Sequence, residues 1–383
     1  MAGKTKLALV LGIVLVILVI IIISYSAYVV VQPKQSSNTS SGYIEVVDFI
    51  NRTVKVPNNV SRIVALGPGM LRLVTYLNAT DLLVGVEASE QLWDPLGRDY
   101  AIAYAELFKK LPVVGLGGPR NPPDPEKIRS VSPDLVIVHK LYAQMYDPDR
   151  LSREVGTPVI VLDYGRAGYL DIDSIKKALK LLGEVLHREE RADELCRYID
   201  ELISDLKKRT EGIKEKPSIY VGAVSYKGRQ PFTSSQSPFP PLTLLNTSSI
   251  VDEVAVKPGL ISVDFEYLLR KQPDIIFIDL NNLDIVAQDF KKDSSKYCAL
   301  KAFREGRVCT ILPFNYYHTN IATALADAYY IGKVLYPSKF ADVDPVKKAN
   351  EIFKVFLGKP LYDEFVRGYG IGFSNIANMF RCS

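Results

Sequence analysis

The chain has 383 residues, more than one ordinary core holds, so two lobes are expected. Hydrophobic residues make up 48% and charged residues 23%, which excludes a disordered chain. The net charge of +4 owes most to Lys4, Lys6 and Lys34, which precede every acidic residue; the remainder is near neutral and offers no clustered basic face for nucleic acid.

Residues 7–31 carry no charge and are rich in Leu, Ile and Val. At ~1.5 Å per residue they reach roughly 37 Å, enough to cross a bilayer with some tilt. Lys4 and Lys6 lie before them, which puts the rest of the chain on the extracytoplasmic face of the plasma membrane, at the cell surface. The segment reads as a retained anchor, with a cleaved signal peptide as the alternative. The Ser/Thr-rich stretch 32–42 reads as a flexible linker. Asn38, Asn51, Asn59, Asn78 and Asn246 head N-x-S/T triplets and are candidate glycosylation sites.

Tyr43 to Val56 alternates polar and apolar residues about Asn51 and predicts a β-hairpin. Short apolar strands are predicted at 62–67, 84–86, 113–116, 135–138 and 159–162, with the turn Gly67-Pro68-Gly69 opening a helix over 70–77. From Asp171 to Gly212 apolar residues recur at helical spacing without a proline, which predicts one unbroken helix of roughly 60 Å and places His187 on its solvent face. Further strands are predicted at 218–222, 275–278 and 308–312, a helix at 321–335, and two short helices about Gly358-Lys359-Pro360. Strands alternating with helices imply parallel sheets covered on both faces.

A repeat links the two runs. Glu126 and Ile128 precede Ser132-Pro133-Asp134 and a buried strand; Glu266 and Leu268 precede Gln272-Pro273-Asp274 and another. Four cysteines form no CxxC pair, which argues against structural zinc. Cys298 and Cys309 lie close enough in sequence to be bridged in an exported chain; buried free thiols are the other reading.

The order of these pieces resembles the class III substrate-binding proteins of ABC importers, the iron-siderophore, haem and cobalamin periplasmic-binding family. The resemblance runs from about Tyr43 to Phe340. It is carried by Val54-x-Val56-Pro57 before Arg62-Ile-Val-Ala-Leu, Gly67-Pro68-Gly69, Val84-Gly-Val86, the paired glutamate and Pro-Asp segments, the long helix, and Asn315-Tyr316-Tyr317 with Asn320. It implies two Rossmann-like α/β lobes joined by one long bridging helix, with cargo in the cleft between them. The division becomes anchor 1–31, linker 32–42, N-terminal lobe 43–168, bridging helix 169–213, C-terminal lobe 214–340 and helical extension 341–383. It also implies an ABC permease with its cytoplasmic ATPase as partner, and docking of that permease by one acidic residue per lobe, here Glu126 and Glu266. Two solvated helix glutamates are the plain alternative.

Cargo is expected on loops at the strand ends. Gly67, Pro68 and Gly69 open a helix whose N–H groups could face an anion. Arg72 either pairs with a ligand carboxylate or sits in a surface salt bridge. His139, Tyr142, Tyr164 and Arg166 follow strands of the first lobe; Tyr226 and Arg229 sit in a loop of the second, and Tyr316, Tyr317 and His318 follow its last strand. Phenolate and imidazole ligate ferric iron, and Arg neutralises an anionic chelate. With 22 tyrosines in the chain, ordinary packing competes for each. His139 and His318 stand out, since only three histidines exist. With no His/Asp/Glu set at ligand spacing, a bare-metal cage is disfavoured, and an iron(III) complex or corrinoid is the expected cargo, with no catalytic cofactor. The rivals are an enzyme using the cleft and a surface sensor or adhesion module. No GxGxxG after a strand, GxxxxGK[ST], GxSxG or HExxH motif is present.

Overall fold

The computed structural model describes residues 42–226 and 228–382. The expected anchor, all but the last residue of the linker, and Asn38 lie outside the described residues. Among the described residues no helix is long and apolar enough to cross a membrane.

β1 (Tyr43–Val47) and β2 (Thr53–Pro57) form the predicted hairpin. Its turn is organised by Asp48, whose carboxylate accepts the Ile50 and Arg52 N–H groups at 3.0 Å each. Then come β3 (Ile63–Leu66), β4 (Leu83–Gly85), β5 (Leu135–His139) and β6 (Val159–Leu162). They form one parallel sheet in the order β4-β3-β5-β6. β3, β5 and β6 are buried along their whole length, which is why each reads as a continuous apolar run rather than an alternation. The strand expected at 113–116 is only a single bridge, Val86 to Val113.

β7 (Ile219–Gly222), β10 (Ile275–Asp279) and β11 (Val308–Ile311) form a second parallel sheet, with β10 central. Between β7 and β10 in sequence, β8 (Ser234–Ser237) and β9 (Gly259–Ser262) make a separate antiparallel pair. The repeat is structural. Ser132 and Gln272, each before its Pro-Asp pair, take φ values of 43° and 45°. Asp134 accepts the Ser61 and Arg62 amides at 2.9 Å, and Asp274 accepts that of Ser218 at 2.8 Å. The same turn therefore locks β5 to the start of β3 and β10 to the start of β7.

The unbroken helix from Asp171 to Gly212 is not observed. The chain forms helices Ile172–Leu186 and Glu189–Thr210, separated by His187 in the left-handed conformation with φ 52°. The Arg188 amide closes the first helix on the Gly183 carbonyl at 2.7 Å. The second helix folds back along the first, with Lys180 3.6 Å from Asp193 and Lys176 bonded to Asp200. A Cβ at Gly183 would lie 2.7 Å from the Ala192 Cβ, so a bare glycine permits this approach. His187 is exposed, as expected, but at a bend rather than on a helix face.

The Glu189–Thr210 helix still spans both halves. Arg191 reaches the Tyr76 carbonyl at 3.0 Å, while Asp205 accepts the Tyr329 hydroxyl at 2.8 Å. A second helix, Pro345–Leu357, does the same. It lies along the Ile321–Leu335 helix, sets Phe356 against Tyr76 at 4.9 Å between ring centroids, and offers the Leu357 carbonyl to Tyr104 at 3.1 Å. The tail then pairs with β11, through Thr310 to Ser374 at 2.9 Å and Ile376 to Val308 at 2.8 Å. Cys382 ends it in a disulfide with Cys298. Cys298 therefore does not bond Cys309, which points into the core from β11 as a free thiol, like buried Cys196.

Candidate functional site

In the order β4-β3-β5-β6 the crossovers leave β3 in opposite directions, and in open sheets of this kind ligands bind outside the carboxyl ends of the strands at that point, here β3 and β5. Gly67 and Gly69 follow β3 with φ of 91° and 78°. A Cβ on Gly67 would lie 2.9 Å from that of His139, and one on Gly69 2.0 Å from the Tyr164 hydroxyl. The glycines are thus needed for turn conformation and for close approach by these side chains. Gly67 does not offer its amide to a ligand: it donates to Glu87 at 2.9 Å, and Pro68 has no N–H.

His139 ends β5 and accepts the Leu141 amide on Nδ1 at 3.0 Å. Asp163 and Tyr164 follow β6. From the other half, the segment after β11 brings Tyr317 and His318, both non-glycine residues at positive φ, 51° and 78°. Such backbone is costly and persists where the surroundings enforce it. Contrary to the expectation of no His/Asp/Glu set at ligand spacing, ligand atoms of His139, Asp163 and His318 lie within 4.8 Å of one another, because the fold joins three segments distant in sequence. The two imidazoles are 5.2 Å apart, and Tyr164 lies 4.0 Å from His318. Burial lowers the His139 pKa to about 4, helped by Lys140, and pushes that of His318 well below the usual imidazole range, so both rings are neutral.

Arg72 is fully buried and makes no surface salt bridge. It bonds Asp99 at 3.2 Å, the Tyr164 hydroxyl at 2.6 Å and Asn320 Oδ1 at 2.7 Å. Glu87 is a second buried hub. It accepts the Tyr142 hydroxyl at 2.7 Å and that of Tyr317 at 3.0 Å, while the Gly118 amide donates to Tyr317 at 2.9 Å. Burial pushes its carboxyl up to about 7. Burial also raises the phenols of Tyr142, Tyr164 and Tyr317, so these rings are hydrogen-bond donors in a packed wall rather than phenolates.

Tyr316 stacks on Trp93 at 6.3 Å beneath Arg98 at 5.4 Å. Arg166 is exposed and bonds the Pro258 carbonyl at 2.6 Å. Arg229 pairs with Asp284, and Tyr226 shares its loop, with its carbonyl accepting from Gln230 at 2.9 Å. Glu126 and Glu266 are exposed in the first turns of the helices Pro125–Ser130 and Phe265–Lys271. The sequence reading missed Glu87, Asp99 and Asp163. Asp163, directly after a predicted strand, was findable; Glu87 and Asp99 meet their partners only in the fold.

A sequence model of periplasmic binding proteins matches residues 63–313. The chain belongs to the periplasmic binding protein family. This periplasmic binding protein is 23% identical to the molybdate-binding protein MolA of Haemophilus influenzae, over 81% of this chain and 90% of that one. It is 22% identical to the ferric-anguibactin-binding protein FatB of Vibrio anguillarum, over 61% of this chain and 70% of that one. Its fold is shared with an ABC transporter solute-binding protein from Sulfurospirillum deleyianum, at TM-score 0.63 and 22% identity, over 85% of this chain and 98% of that one. It is a class III substrate-binding protein of an ABC importer, and not an enzyme. Small cargo, permease and ATPase come with that role.

Proposed function

We propose that this binding protein captures, outside the membrane, a metal already enclosed in anionic oxygen ligands, and that it does so at His139, which Asp163 and His318 flank. The lobes are residues 43–168 and 214–340, residues 7–31 anchor the protein, and Glu126 and Glu266 dock the permease. The observation that carries the reading is the His139 imidazole: it is 8% exposed, yet its Nε2 has no partner among the described residues. A buried polar atom left unsatisfied is costly and suits a ligand that completes it. A ferric chelate and a metal oxyanion share the required oxygen surface, and relatives named for ferric-anguibactin and for molybdate support both sources.

Titration calorimetry of the protein with ferric citrate, molybdate and cobalamin separates these. Saturable binding of ferric citrate or molybdate, weakened by His318→Leu, is expected. Binding of cobalamin alone would move the cargo to corrinoids. Tight binding of a sugar or peptide, with none of the three, would sink the reading.

A further inference from the structure

Both histidines of the cluster hold their Nδ1 lone pair against a backbone N–H. His139 Nδ1 accepts from Leu141 at 3.0 Å, and His318 Nδ1 accepts from Thr319 at 2.9 Å. A neutral imidazole carries one proton, so in each ring it resides on Nε2. His318 spends it on the Gly165 carbonyl at 3.1 Å. Among the described residues His139 Nε2 has no such acceptor; Asp163 Oδ1 is 3.8 Å away, beyond hydrogen-bond reach.

A metal ligand needs the opposite arrangement. The ligating nitrogen presents its lone pair, and the other ring nitrogen donates to a carbonyl or carboxylate. Here the unpartnered nitrogen of His139, buried though it is, carries hydrogen, and the other accepts. Ligation through Nε2 would strip its proton or break the Leu141 bond. Although His, His and Asp gather as a metal triad would, the wiring is that of a donor site. The charge balance agrees: Lys140 Nζ lies 3.9 Å from Asp163 Oδ2, so that pair presents no net charge to an anion.

We infer that His139 grips the cargo by donating Nε2–H to an oxygen of the metal's ligand shell, leaving the metal's own coordination untouched. The site therefore selects complexes whose coordination is complete and whose surface is oxygen-rich, and rejects bare cations. This rests on the function proposed above for the cargo, but not for the protonation pattern.

The full chain in detergent, labelled with ¹⁵N-histidine, tests the two separately. In the free protein, His139 and His318 should both show protonated Nε2 and bare Nδ1; a proton on Nδ1 of His139 overturns the inference whatever binds. Nickel(II) chloride should give no binding that depends on His139; nickel binding lost in His139→Leu overturns it too. With whichever of ferric citrate or molybdate binds, His139→Gln keeps an N–H donor and should stay within about fivefold of wild type, while His139→Leu should lose about tenfold or more. Equal losses in the two variants overturn the donor role. If the wild type binds neither probe, the cargo assignment fails while the imidazole spectrum still decides this one.

Discussion

Among the described residues Glu87 is a carboxyl with three donors and no paired cation: the Gly67 amide and the hydroxyls of Tyr142 and Tyr317 surround it, and Glu90, whose charge adds to the upward push of burial, is itself paired with Arg98 at 2.6 Å. Its pKa of about 7 lies above the usual carboxylate value of 4.5. The folded protein therefore binds a proton that the unfolded chain has released between those values. Its stabilising contribution is complete below about pH 4.5 and is lost as pH rises through about 7. The expected size is at most on the order of 3 kcal/mol. Glu87→Gln keeps an amide in place of the protonated acid and should flatten this part of the profile, raising stability above pH 7. Urea midpoints measured from pH 4 to 8 check this; an identical slope in wild type and variant would exclude Glu87 as its source. Legibility at this scale followed rarity. Two of three histidines reached the site, because His139 ends a strand and His318 follows one. Glu87 and Asp99 were invisible, since a buried acid is defined by partners such as Tyr317, distant in sequence.

Among elements, the strands were the most legible, because burial on both faces leaves an uninterrupted apolar run in β3, β5, β6 and β10. The long helix was misread because hydrophobic period carries no mark of the bend. Residues on either side of His187 keep the spacing, and only a left-handed histidine and the contact of Gly183 with Ala192 tell that the chain doubles back. The disulfide was misread because sequence proximity favoured Cys309, whereas the tail brings Cys382 across from 84 residues away, with Cα atoms 5.4 Å apart. Cross-linking so long a loop constrains the unfolded chain strongly, and removing such a bond typically costs about 2–5 kcal/mol. Cys382→Ser should lower stability by that amount and speed amide exchange at Ile376 and Thr310, which pair tail to β11. Unchanged exchange at both would mean that the tail is held by Phe380, packed on Phe290 and Phe303, rather than by the covalent link.

For the whole molecule, the repeat was the informative signal. It links the two parallel sheets, and the matched turns at Asp134 and Asp274 set Glu126 and Glu266 at like exposed positions before them. If these carboxylates are read by permease arginines, reversing both charges removes bidentate pairing at two points at once. Glu126→Arg with Glu266→Arg should abolish uptake in cells expressing the cognate permease, while cargo affinity of the purified protein stays within about twofold. Uptake that survives the double reversal would assign docking elsewhere. What remained hidden at this scale was the role of the C-terminal helices, since a helix read alone does not say which two bodies it touches.

The helices Glu189–Thr210 and Pro345–Leu357 cross from one half to the other along separate paths. A body tied at two places resists the wide jaw movement that a single flexible strand allows. Loaded and empty forms are then expected to keep nearly the same outline, which would leave a transporter little gross shape to sense. What it could sense would be local, such as the stacked pair Tyr316 and Trp93 and the presence of cargo beside His139. An empty carrier should thus compete with a full one for the same seat, and the ratio of the two outside the cell would govern the rate of import.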